Sequence, residues 1–262
     1  MRKYLFIYLT LLKNAFSYEA QYRRDTWLHL ASNFLYLGLL SATIEVVFRH
    51  TPELNGWSRE ETYLLMLLWI IADELFTMVS KHNLWNLPGL VTDGALDAYL
   101  TKPANTLFLV STKIFLMRAG YRLFIQIGFL VWLVWSFDFA PSLWHGAMAI
   151  VLVIGGALVH YSFSLILNTL SFWWLRIDNI NDAWESLSNM GRYPLGIFPK
   201  FVRVLCLTFL PIAFIGYIPA AAMTGRAGWW LILYAFAFTA LIFYFAVSFW
   251  KYALRRYTSA SS

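Results

Sequence analysis

Long apolar runs, each about as long as a membrane crossing, alternate along this chain with short polar segments that hold most of its prolines and glycines. A helix crosses a hydrocarbon layer of about 30 Å with roughly 20 residues, so runs of that length are the unit to read. The first extends from about Trp27 to Phe48 and ends in the polar stretch Arg49 to Glu61, where Pro52 and Gly56 supply a turn. Others run from about Thr62 to Ser80, Leu116 to Phe137, Leu143 to Trp174 and Trp229 to Tyr252. No water satisfies backbone groups at the bilayer centre, and the runs lack the alternation of a barrel strand, so they predict helices. The Leu143 run is longer than a bilayer needs; tilt or an extension into water is expected, with Arg176 and Asp178 closing it.

Two later segments allow two layouts. Ile180 to Tyr193 carries Asn181, Asp182, Glu185, Ser188, Asn189 and Arg192, while Phe198 to Ala222 is apolar but broken by Pro199, Pro211 and Pro219. Either the polar segment is a fifth span facing the protein interior and the Pro-broken one (198–222) dips into the outer leaflet and returns, or the polar segment is cytoplasmic and the Pro-broken one spans. The first is favoured, for a reason given below. At the N-terminus, Leu5, Leu9, Leu12 and Phe16 fall on one helical line, with Lys3, Thr10, Asn14, Ser17, Gln21 and Arg24 opposite. Residues 1–25 therefore predict an amphipathic helix lying on the membrane. Lys13 interrupts the apolar run after Met1-Arg2-Lys3, and no small-residue cleavage site follows, so the segment is read as retained. The expected fold is an all-α membrane protein forming one transmembrane domain over 1–262, with six transmembrane helices.

Composition agrees: 60% of the 262 residues are hydrophobic and 13% charged, with a mean hydropathy of +0.59, so lipid is the expected partner of most of the surface. The formal charge of +6 does not gather into a nucleic-acid patch; the basic residues sit at the ends of apolar runs. Arg2, Lys3, Lys13, Arg23 and Arg24 precede the first helix, Lys81 and Lys102 lie between the second and third, and Lys251, Arg255 and Arg256 end the chain. Positive residues inside then put both termini and the central loop (81–105) in the cytoplasm. Arg192, Lys200 and Arg203 would lie outside in the favoured layout and count against it. Arg118 and Arg122, one turn apart at the start of the third span, are read as snorkelling toward headgroups.

No Gly-x-x-x-x-Gly-Lys-Ser/Thr loop occurs, so this chain is not expected to hydrolyse ATP or to bind a cofactor. Its single cysteine, Cys206, permits no internal disulfide, and its five histidines show no metal-ligand spacing. Ser164 and His160 lie one turn apart, but no acid is seen beside them to make a nucleophile–base pair. Polar residues inside lipid-embedded helices say more, since each costs free energy unless it meets a partner or water. Gly156, His160, Ser164, Asn168 and Ser171 share one stripe; Asn181, Glu185, Ser188 and Arg192 share another. Facing each other or a second subunit they would line a path or act as interhelical glue. Candidate path residues are His160, Ser164, Asn168, Glu185 and Asn189. Asp73 and Glu74 are adjacent and point about 100° apart, so at most one meets a given partner.

The loop after the second run holds the sharpest motif. From Thr92 to Pro103 it reads as a short exposed helix capped by Asp93, with Leu96, Tyr99 and Leu100 as an apolar docking side and Pro103 as its stop. In the sequence Asp93-Gly94-Ala95-Leu96-Asp97-Ala98-Tyr99-Leu100-Thr101-Lys102-Pro103, together with Tyr22 to Asp25, Gly56 to Glu61, Tyr193 to Pro199, Pro211 to Phe214 and Pro219-Ala220, the chain resembles the permeases of type-2 ABC exporters. The match is to a bacterial six-helix subfamily distantly related to daunorubicin-resistance permeases. The resemblance implies a permease subunit that pairs with a second permease, identical or different, and docks two copies of a cytoplasmic ABC ATPase that binds Mg-ATP. Contact would fall to Thr92, Asp93, Leu96, Asp97, Tyr99, Leu100, Lys102 and Pro103. It also implies a broken re-entrant helix pair before the last span, which is why the first layout is favoured. A membrane-embedded lipid enzyme, which would need a clustered catalytic constellation, and a proton-coupled secondary transporter built on Asp73, Glu74, His160 and Glu185 are the competing readings.

Overall fold

The computed structural model describes residues 2–21, 23–137, 141–174 and 179–257, and all side chains there except those of residues 2, 3, 5, 18–21 and 23–25. Arg176 and Asp178, and the side chains of Lys3, Leu5, Gln21 and Arg24, lie outside it. Among the described residues the regular elements are helices, with one isolated bridge between Leu54 and Trp57. Five helical stretches are long and apolar enough to cross a membrane: Thr26–Phe48, Arg59–Thr92, Met117–Ser136, Leu143–Phe172 and Trp229–Arg255.

Helix α1 (Arg2–Gln21) packs its aromatic side on the central loop: Tyr4 meets Phe108 at 5.1 Å and accepts a hydrogen bond from the Asn105 N–H, and Tyr8 meets Phe115 at 6.0 Å. Phe6, Leu9 and Phe16 stay exposed, an apolar face with lipid as its natural solvent. Helix α2 (Arg23–Phe48) leads to a turn with left-handed Asn55 and Gly56.

Helix α3 begins at Arg59, three residues before the apolar pattern suggests. Ser58 and Glu61 form a capping box: the Ser58 hydroxyl accepts from the Glu61 N–H at 3.2 Å, and the Glu61 carboxylate accepts from the Ser58 N–H at 2.9 Å. Nor does this helix stop at Ser80. After α3 (Arg59–Phe76) it passes through one π-helical turn (Thr77–Lys81) into α4 (His82–Trp85) and α5 (Leu87–Thr92), a rod of 34 residues. The reading of 81–105 as a loop is thus corrected for its first half, through Thr92. Pro88 sits in the first turn of α5, where the N–H it lacks has no helical acceptor, so it does not break the rod. Asp93 ends α5 rather than starting the next helix, with Gly94 left-handed at φ +68° behind it and the Leu96 N–H returning to the Leu90 carbonyl at 2.9 Å. The short α6 (Asp97–Leu100) has no side-chain cap, and α7 (Thr106–Thr112) follows with Asn105 as its cap.

Rod α3–α5 is the axis of the molecule: 72% of its most apolar window is buried, against 11% for the last helix. Against it pack α8 (Met117–Ser136) and α9 (Leu143–Thr169), and α13 (Trp229–Arg255) packs on α9. Helices α9 and α13 run parallel, for Gly155 lies beside Thr239, Tyr161 beside Phe243, and Trp173 beside Phe249 and Tyr252. Helix α10 (Ile180–Ser188) runs against α9, with Asn181 on Asn168 and Trp184 on Phe163 and His160. A 3-10 turn (Asn189–Arg192) carries it on, Gly191 against Trp69, and Gly196 then abuts Asn55. The Pro-broken region forms α11 (Lys200–Thr208), a 3-10 turn (Pro211–Phe214) and α12 (Tyr217–Met223). Its middle reaches Gly156 of α9 and Trp69 of α3, and its end returns to Glu61 through Arg226.

Candidate functional site

A polar cavity of about 460 Å³ opens between α2, α3, α8 and α10. Its chemistry starts from the adjacent carboxylates of α3, which do face apart as their spacing requires. Glu74 turns to α8, where Arg122 donates to it at 2.6 and 3.0 Å and Gln126 at 3.1 Å. Arg122 is therefore an internal partner of Glu74, not a side chain snorkelling to the surface; Arg118 likewise donates to His29, at 2.7 Å. Asp73 turns the other way, 3.9 Å from the Lys81 ammonium and 3.5 Å from His160 Nδ1. Lys81 also pairs with Glu185 of α10 at 2.9 Å. In an unbroken α-helix residues eight apart lie about 80° from one another; the extra residue held in the π turn rotates Lys81 back toward the face of Asp73.

That turn is also bolted to the loop that follows the rod. The Met78 carbonyl accepts the Leu116 N–H at 3.0 Å, and the Asn83 amide bonds both the carbonyl and the N–H of Ile114, at 2.6 and 2.9 Å. The break between α7 and α8 is thus tied to the rod.

Of the path residues read from sequence, Glu185 and Asn189 line this cavity, and His160 stands behind Asp73, where the sequence suggests no acid. Ser164 and Asn168 are elsewhere and serve as glue. The Asn168 amide donates to the Ser164 carbonyl at 2.8 Å and exchanges reciprocal hydrogen bonds with Asn181 at 2.8 and 3.0 Å, all buried. With Ser164 engaged by Asn168 and His160 by Asp73, no nucleophile–base pair forms from them. Asn168→Leu strands the Asn181 amide and is expected to cost about 1–2 kcal/mol, read as a lower unfolding midpoint in detergent; an unchanged midpoint would deny the pair its role. Lys81, Arg122 and Gln126 were missed as cavity residues, whereas Arg192 belongs to the stripe read as able to line a path. The signal for Arg122 was there, because a carboxylate at Glu74 inside a span demands a cation on a neighbouring helix.

Arg192 lies over the Trp69 ring at 4.2 Å and the Tyr36 ring at 5.5 Å. Among the described residues no carboxylate pairs with it.

The loop residues divide by burial. Leu96 (0% exposed) and Tyr99 (7%) are not on an outer docking side; they sit in a second core cluster with Leu84, Leu87, Leu165 and Trp250. The Tyr99 hydroxyl also accepts from Lys113 at 2.9 Å. Exposed are Asp93, Leu100, Lys102 and Pro103, with Thr92 and Asp97 half-buried. This surface lies at the end of the molecule where α1, the last turns of α9 and the C-terminal turns of α13 gather, since Phe172 meets both Trp250 and Tyr257.

Residues 34–261 match the sequence model of a family described as ABC-2 family transporter protein. The chain belongs to the ABC-2 transporter family. No curated protein matches it. As an ABC-2 permease it is a multi-pass membrane component of an ABC transporter, not itself the catalyst, in a family that works with an ABC ATPase. Helix α1 precedes the matched region of the permease.

Proposed function

We propose that this permease is the membrane subunit of an ATP-driven exporter, gripped through Thr92–Pro103 by a cytoplasmic ATPase present in two copies that alone binds Mg-ATP. The observation that carries this reading is the build of that segment. Leu96 and Tyr99 root it in the core between the helices while Asp93, Leu100, Lys102 and Pro103 are presented outward. A rooted handle transmits force, whereas a free loop would not. Movement there would reach the cavity through the Asn83 clamp and the π turn that carries Lys81.

The exporter reading includes six crossings. Because α9 and α13 run parallel, a chain leaving one and entering the other has to cross the membrane between them. The segment Ile180–Arg192, antiparallel to α9, is the proposed fifth crossing, and Pro199–Met223 is the re-entrant pair, entering to the level of Gly156 and returning to Glu61. Helix α1 lies on the cytoplasmic surface, both termini are cytoplasmic in a bacterial inner membrane, and a second permease, identical or different, closes the cavity's open side. Charged groups facing lipid at that depth would cost several kcal/mol each. ATP-driven approach of the two ATPases then shifts the pair between inward-open and outward-open states, with Glu185 and Asn189 on the path and His160 supporting it through Asp73.

Affinity purification of the tagged chain from its native membrane is expected to recover an ABC ATPase. Asp97→Lys should abolish the recovery while leaving the permease monodisperse in detergent. Transport driven by a proton gradient, with no ATPase recovered, would favour the secondary-transporter reading carried by Asp73, His160, Lys81 and Glu185.

A further inference from the structure

The charges that face the polar cavity cancel, but they do not mix. Glu74 is consumed by Arg122 and Gln126 and leaves no net field. His29 is taken up by Arg118, which donates to its Nε2 at 2.7 Å. What remains is separated into two ends. At one, Asp73 and Glu185 share the single ammonium of Lys81, leaving one negative charge over. At the other, Arg192 rests on the ring faces of Trp69 and Tyr36 with no carboxylate partner among the described residues, leaving one positive charge over. Both ends open on the same 460 Å³ space.

In a site walled by membrane helices the effective dielectric is low, and an uncompensated charge is expensive. A simple anion would satisfy Arg192 and be repelled by the opposite end; a simple cation would do the reverse. Only a molecule carrying both charges completes the site. We propose that the cavity selects a zwitterionic cargo, whose anionic group sits at Arg192 and whose cationic group sits at Asp73 and Glu185, about 6 Å away by the helical rise from Trp69 under Arg192 to Asp73 and about 10 Å by that from Arg192 to Glu185. The aromatic faces of Trp69 and Tyr36 supply the apolar wall beside the anionic end. This assignment rests on the reading of the cavity as the cargo path. Its chemistry is shared by soluble amphoteric molecules and by zwitterionic lipid headgroups.

The test uses the full chain in lipid nanodiscs and three probes of equal length: ω-aminooctanoate, octanoate and octylamine. The zwitterion is expected to raise the unfolding midpoint at roughly tenfold lower concentration than either singly charged probe, the scale of one partly screened charge pair. Arg192→Gln should shift the preference to octylamine, and Glu185→Gln, at a half-exposed side chain, should shift it to octanoate. The two variants invert the selectivity in opposite directions, so poor folding of one leaves the other decisive. If the zwitterion raises the midpoint equally in phosphatidylglycerol and phosphatidylethanolamine discs, the cargo is a soluble zwitterion. If phosphatidylethanolamine by itself raises the midpoint and removes the probe's effect, it is a headgroup. Equal response to all three probes, or variants with wild-type selectivity, overturns the proposal. Loss of selectivity with an ATPase still co-purifying removes the cargo assignment alone; selectivity without an ATPase removes the exporter reading alone.

Discussion

Glu74→Leu is expected to lower stability by about 3–5 kcal/mol, because it leaves the Arg122 guanidinium inside the helix bundle without its carboxylate. The Glu74 side chain is 9% exposed and that of Arg122 25%, so water can do little to replace the lost partner. Gln126 would lose its acceptor as well. The measurement is the thermal midpoint of the purified chain in one detergent. The double variant Glu74→Leu/Arg122→Leu should recover most of the loss, since replacing a whole buried ion pair by apolar groups is close to neutral or better. A double variant no more stable than the single one would show that the pair is not what joins α3 to α8.

Gly156→Leu should be equally damaging, for a steric reason. A Cβ on Gly156 would stand 2.7 Å from the Phe214 carbonyl oxygen and 2.9 Å from the Ile215 Cα, and backbone cannot swing aside as a side chain can. The 3-10 turn Pro211–Phe214 would have to leave α9, and Phe214 its stack on Phe238 at 4.3 Å. A cost of about 3 kcal/mol is expected, the upper part of the overpacking range. Gly128→Leu and Gly146→Leu are the controls, since an added Cβ at either meets nothing within 4 Å. Equal damage from all three would mean a general penalty for bulk in these helices and would remove the close approach as the cause.

Much of this protein is written along the chain. Five apolar runs specify five helices, because lipid offers the backbone no other partner and each run is long enough to cross the bilayer. The loop motif Asp93 to Pro103 and the prolines 199, 211 and 219 also stand out locally, as does the polar character of Asn181, Glu185 and Arg192. Errors at helix ends came from local chemistry outweighing average polarity: a capping box at Ser58 starts α3 early, and Pro88 in a first turn lets the rod continue past Lys81.

Pairing was decided only by the tertiary structure. Sequence assigns Asp73 and Glu74 to different directions but cannot say that one meets Arg122 and the other Lys81 and His160, because these partners lie far along the chain and converge only when helices pack. The same holds for Leu96 and Tyr99, which read as an exposed docking side and became anchors because they join a buried cluster drawn from the rod, α7, α9 and α13. It holds for Asn168, whose stripe suggests a path until Asn181 takes up its amide. A helical pattern fixes which residues share a face; which face meets which depends on crossings and on one π turn that no periodicity records.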